Sequence, residues 1–163
     1  MKTTFSFAAF ALLAAQQALA IPPTITHTPV DMTFISTHCG FDVSIDLTGT
    51  LVGISYTDRQ GVFHEFVAFP QGTAVMTGPT GKSITVKVTG PTRLTSNPDG
   101  SATYVANGVQ AWNVDPESLA TDTPLSGWFY TKGRLEFFFS AGAESPSVAT
   151  RTGTKTALCP KLQ

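Results

Sequence analysis

From Phe41 to Thr48 the chain alternates strictly, with Phe41, Val43, Ile45 and Leu47 apolar and Asp42, Ser44, Asp46 and Thr48 polar. A period of two places one dry and one wet face on an extended strand. The same signature returns in "SITVKVT" at 83–89, where Ile84, Val86 and Val88 share a face, in "RLEFFFS" at 134–140 with Leu135, Phe137 and Phe139, and in "LVGISYT" at 51–57 with Val52, Ile54 and Tyr56. Between such runs stand turn clusters: "TDRQG" (57–61), "PQG" (70–72), "GPTGK" (78–82), "GPT" (90–92), "NPDG" (97–100) and "KG" (132–133). Their spacing of about ten residues is that of an antiparallel meander. No segment carries a 3.6-residue period, and the one long connection, "DPESLATDTPLSG" at 115–127, suits a helical turn or a flap. The pattern predicts an all-β, up-and-down meander of about eight strands over residues 31–163, closed into a small barrel because closure alone removes the two sheet edges. A β-sandwich is the alternative architecture.

The ends of the chain change the picture by naming a compartment. "MKTTFSFAAFALLAAQQALA", residues 1–20, has a basic start, a short apolar stretch and an Ala-Leu-Ala finish, the form of a secretory signal peptide. The apolar stretch is shorter than the ~20 residues of a membrane span. Residues 21–30 read as an extended, proline-stiffened lead-in. Cleavage after Ala20 removes Lys2 and leaves nine basic against eleven acidic side chains, a balance that offers no electrostatic footprint for nucleic acid or an anionic membrane. In an oxidising compartment the two cysteines, Cys39 and Cys159, are expected to pair, which requires the two ends of the fold to be neighbours.

Motifs for catalysis are scarce. "TGPTGKS" at 77–83 imitates a phosphate-binding loop, but Met76 stands where the first glycine is needed and the segment joins two strands. His27, His38 and His64 lack the short spacing of a metal site, so neither a metal nor a cofactor is expected. In "VFHEFVAF" (62–69) Phe63, Glu65, Val67 and Phe69 share one face and Val62, His64, Phe66 and Ala68 the other. If the first face turns inward, Glu65 becomes a buried carboxyl suited to acid–base work; at a strand end it simply reaches water. The aromatic side chains form most of the core, and those pointing into a barrel would line a pocket for one small ligand. The candidates for that lining are Tyr56, Phe63, Tyr104, Trp112, Trp128, Tyr130 and Phe137.

Through "HCGFDV", "NPDGSATY" and "ALCPK" the chain resembles a group of small secreted proteins of bacteria and filamentous fungi with a C-[GP]-F-x-V start and a second cysteine near the end. That resemblance implies a disulfide, a first strand and turns, and no activity. The expected architecture is also similar to lipocalin, dirigent and allene-oxide-cyclase barrels, which bind apolar small molecules or steer their cyclisation or coupling, although none of their motifs is present. The resulting expectation is a secreted protein that binds a small apolar molecule, with Glu65 as its candidate catalytic group. The alternative is a non-catalytic extracellular effector or wall-associated protein acting through its surface.

Overall fold

All strand pairing is antiparallel. The computed structural model describes residues 22–163, and the signal peptide expected at 1–20 lies outside the described residues. Nine strands form one antiparallel sheet: β1 (Thr24–Ser36), β2 (Val43–Thr57), β3 (Phe63–Ala68), β4 (Thr73–Thr77), β5 (Ser83–Lys87), β6 (Thr92–Ser96), β7 (Ala102–Val114), β8 (Ser126–Phe139) and β9 (Val148–Ala157). The only helical pieces among the described residues are 3-10 turns at Pro116–Ala120 and Cys159–Lys161. The expected lead-in is extended, but it is no appendage. Thr24 to Val30 ladder onto Gly49 to Ser55 of β2, so the folded unit begins before residue 31. Pro29 is compatible with this strand because β1 is an edge, where its missing N–H faces away from the ladder.

β1 covers one edge of β2 from Val43 to Ser55. On the other edge β4 and β3 lie end to end, β4 against Ser44–Thr48 and β3 against Val52–Thr57. β5 pairs with β4 and β6 with β3 in the same manner. β3 with β4, and β5 with β6, are therefore halves of two long strands, and the meander has seven long strands in all. "PQG" and "GPT", expected as hairpin turns, are instead kinks at which the chain continues in its original direction. Proline removes a ladder donor at each, and Phe69 folds over Gly72, where a Cβ would meet its ring at 2.2 Å. The clusters at 58–61, 78–82 and 97–100 do reverse the chain; Gly81 N–H donates to Gly78 O (3.1 Å) and Gly100 N–H to Asn97 O (3.0 Å).

"KG" at 132–133 is no turn either. Gly133 pairs with Gly108 of β7 and Gly153 of β9, a row of glycines across three strands. A Cβ on Gly133 would lie 2.2 Å from the Thr152 carbonyl oxygen and one on Gly153 2.1 Å from that of Lys132, so the backbones approach more closely than any side chain permits. β8 is packed on both faces. Leu135 and Phe137 pack with Ala106, whereas Trp128 and Tyr130 pack on a second cluster formed by Val43, Ile45, Ala74, Met76, Leu158 and Leu162.

The sheet does not close into a barrel: among the described residues β1 and β9 share no ladder. Side chains join the ends instead. Cys39 and Cys159 form the expected disulfide, with Cα atoms 5.4 Å apart. Trp128 Nε1 donates to Ser36 Oγ at 2.9 Å, and Ser126 Oγ to the His38 carbonyl at 3.2 Å. Beyond β9 the chain turns inward and buries Leu158 and Leu162 against β2 and β4, so apolar packing occupies this end of the seam.

Candidate functional site: an apolar cleft within the curled sheet

The two kinks sit opposite the β1–β2 hairpin, and between them opens a cavity of about 340 Å³. Its first wall is built by inward residues of three strands: Val30 and Phe34 of β1, Ile45, Leu47 and Leu51 of β2, and Ala74 and Met76 of β4. Register explains the grouping, since Phe34 faces Ile45, and Ile45 faces Met76. Phe69, Val88 and Gly90 of the kinks form the floor. The opposite wall carries Thr92, Tyr104, Gln110, Ala111 and Trp128.

Polar atoms in this wall are few and partly engaged. Gln110 Nε2 donates to the Gly90 carbonyl (2.6 Å) and Trp128 Nε1 is committed to Ser36. Burial pushes the Tyr104 hydroxyl above the ordinary phenol range; the Thr92 hydroxyl opposes this, and the negative charge of Glu65 adds to it. Tyr104 thus remains a protonated donor at neutral pH. No Asp, Glu, Lys, Arg or His is among the cavity's lining residues.

Of the seven aromatic residues expected to line a pocket, Tyr104 and Trp128 do so. Phe137 and Trp112 are core instead, with ring centroids 5.9 Å apart and Trp112 Nε1 donating to Thr131 Oγ1 at 2.9 Å. Tyr130 packs on the Val43–Met76 cluster. Tyr56 and Phe63 lie outside the cleft and are 39% and 36% exposed, with Tyr56 stacked on His64 at 4.8 Å. The inward aromatics, expected in one pocket, divide between the cleft and two core clusters, with Tyr104 touching both the cleft and the Phe137–Trp112 cluster. Val30 was hidden in the proline-stiffened lead-in, and Phe34, Thr92 and Gln110 stand in no motif or clear alternation.

Glu65 is on the inward face, as Val67 and Phe69 of the same face line the cavity. It lies one step beyond them, between Ser55 and Leu94, and has no hydrogen-bond or ion-pair partner among the described residues. No buried side-chain oxygen or nitrogen there lacks a partner, so the Glu65 oxygens reach solvent. No protein-family model, curated protein or solved structure matches this chain. The reading of the site therefore rests on its own geometry.

Three charged groupings lie outside the cleft among the described residues, one of them the Arg134–Glu136 pair of β8 at 2.8 Å. His64 Nε2 and Asp58 Oδ2 are 3.1 Å apart at the β2–β3 turn, and this bond holds the Asp58 carboxyl below its usual range. Lys155 of β9 donates to Asp115 (2.7 Å) and Glu117, while Arg151 donates to Glu117 (3.0 Å), pinning the 115–125 connection onto the sheet. Among the described residues no group of three or more His, Cys, Asp or Glu is placed to hold a metal ion.

Proposed function

We propose that this is a secreted, barrel-like protein that binds one small apolar molecule in the cleft between β1–β2–β4 and β6–β7. The observation that carries this reading is a cavity of about 340 Å³, within the range of small-molecule sites, walled by hydrocarbon with a few convergent polar groups. Carriage of the ligand is better supported than its transformation, because the Glu65 oxygens reach solvent outside the lining and Tyr104 is the one titratable side chain in the wall. The disulfide and the absence, among the described residues, of any helix long and apolar enough to cross a membrane agree with an extracellular setting. A thermal-shift screen of neutral and charged apolar compounds tests the reading. A ligand at about 100 times its Kd adds roughly 2.7 kcal/mol, a rise of several degrees in Tm. Ala111→Trp, which fills the cavity, should abolish the rise; no response from any compound would overturn the reading.

A second reading, action through the surface, is favoured by β1. This edge strand exposes Ile25 (60%), Met32 (50%) and Ile35 (68%) beside an unpaired backbone edge. Under that reading Ile35→Lys removes the biological effect while ligand binding is unchanged, since Ile35 is not a lining residue.

A further inference from the structure

The walls of the cleft differ in chemistry. On the β1, β2 and β4 side every lining side chain is hydrocarbon or thioether. Side-chain polar atoms come only from the facing wall, and there Thr92 and Tyr104 are diagonal neighbours, because Thr92 pairs with Ala106 and Leu94 with Tyr104. Gln110 follows on the same face of β7, its Nε2 held by Gly90 so that Oε1 remains an acceptor. Tyr104 O–H supplies a donor, and Trp128 Nε1 is already engaged. The lining provides no charge to pair with an ion.

Resting on the proposed binding function, we infer that the ligand is a small neutral amphiphile, its apolar body against β1–β2–β4 and a single hydroxyl or carbonyl oxygen against Tyr104 and Gln110. Its small size follows from the cavity volume of about 340 Å³, near the lower end of small-molecule sites. Its neutrality follows from desolvation: a carboxylate or ammonium entering this lining would lose water and gain no counter-charge. Its single polar group follows from the placement of donor and acceptor on one wall only. Medium-length alcohols and ketones, monoterpenoid alcohols and small phenols fit; fatty-acid anions and organic cations do not.

The test uses three probes of nearly equal size, naphthalene, naphthol and naphthoate, titrated at neutral pH into the disulfide-bonded protein and followed by tryptophan fluorescence and calorimetry. Naphthol is expected to bind roughly fivefold to tenfold tighter than naphthalene, the effect of one net hydrogen bond, and naphthoate more weakly than either. Tyr104→Phe, which keeps the ring against Phe137, should erase the advantage of naphthol over naphthalene; Thr92→Val should weaken naphthol less. Naphthoate binding as tightly as naphthol, or a naphthol advantage that survives Tyr104→Phe, would overturn the ligand class while leaving a binding cleft in place. Failure of all three probes, or binding that persists in Ala111→Trp, would instead overturn the cleft as the binding site, and this inference with it.

Discussion

Alanine at Gly133 is expected to be far more damaging than alanine at Gly142, although both glycines have positive φ, +137° and +74°. At Gly142 nothing lies within 4 Å of the added Cβ, so the cost is backbone strain of about 1–2 kcal/mol, offset by the ~0.4–1 kcal/mol gained from a stiffer unfolded chain. At Gly133 the Cβ would stand 2.2 Å from the Thr152 carbonyl oxygen and 3.0 Å from Gly153 Cα, both backbone atoms. Relief requires β8 and β9 to separate locally, which sacrifices one or two ladder hydrogen bonds of about 1 kcal/mol each on top of a backbone strain at least as large, since φ +137° lies outside the left-handed basin. The net expectation is roughly 2–4 kcal/mol for Gly133→Ala and about 1 kcal/mol or less for Gly142→Ala. Urea unfolding read by far-ultraviolet circular dichroism and by fluorescence measures both; Trp112 and Trp128 pack in different clusters and so report on both cores. Gly153→Ala should match Gly133→Ala, and the double variant should cost less than the sum, since one separation relieves both contacts. Equal costs at Gly133 and Gly142, within about 0.5 kcal/mol, would refute the argument that close backbone approach shapes the sheet at the row of glycines.

Replacing Cys39 and Cys159 together by Ser should remove up to about 5 kcal/mol by loop entropy for a separation of 120 residues, lowering Tm while the far-ultraviolet spectrum stays that of a β protein; intact mass with and without reductant checks the bond itself. Leu162→Ala empties a fully buried position against Val43, Ile45 and Met76 and should cost about 2–5 kcal/mol in denaturant unfolding. Glu117→Gln should cost roughly 0.5–1 kcal/mol at neutral pH, a modest figure because the carboxylate is partly exposed to screening. The hydrogen bond from Lys155, foremost, holds the folded-state Glu117 pKa below its unfolded value of about 4.3. Its stabilisation is therefore full above that value and fades as pH falls through the folded pKa, so the Tm difference between wild type and Glu117→Gln should shrink in acid; a difference constant with pH would refute the pairing.

Local chemistry determined the strand class and most of the strand faces. Val43, Ile45, Ile84, Val86, Leu135 and Phe137 alternate with polar neighbours, and each packs in a core as that alternation requires, because a strand's side-chain period is fixed by its backbone. The disulfide was equally legible, since two cysteines in an oxidising compartment have only each other. Glycine and proline punctuation was legible as interruption but not as direction. "NPDG" reverses the chain while "PQG" and "GPT" merely bend it, because β2 runs on past the first kink to pair with both β3 and β4, and those two halves in turn pair with β6 and β5. The cleft was not legible for the same reason. Val30, Met76, Thr92, Tyr104 and Trp128 come from five strands, and only cross-strand register and two kinks determine that these side chains reach one space, while Phe137, the cross-strand partner of Tyr104, and Trp112 are held in core packing. Alternation names the two faces of a strand; which one becomes a cavity depends on the curvature of the whole sheet, a property no single strand contains.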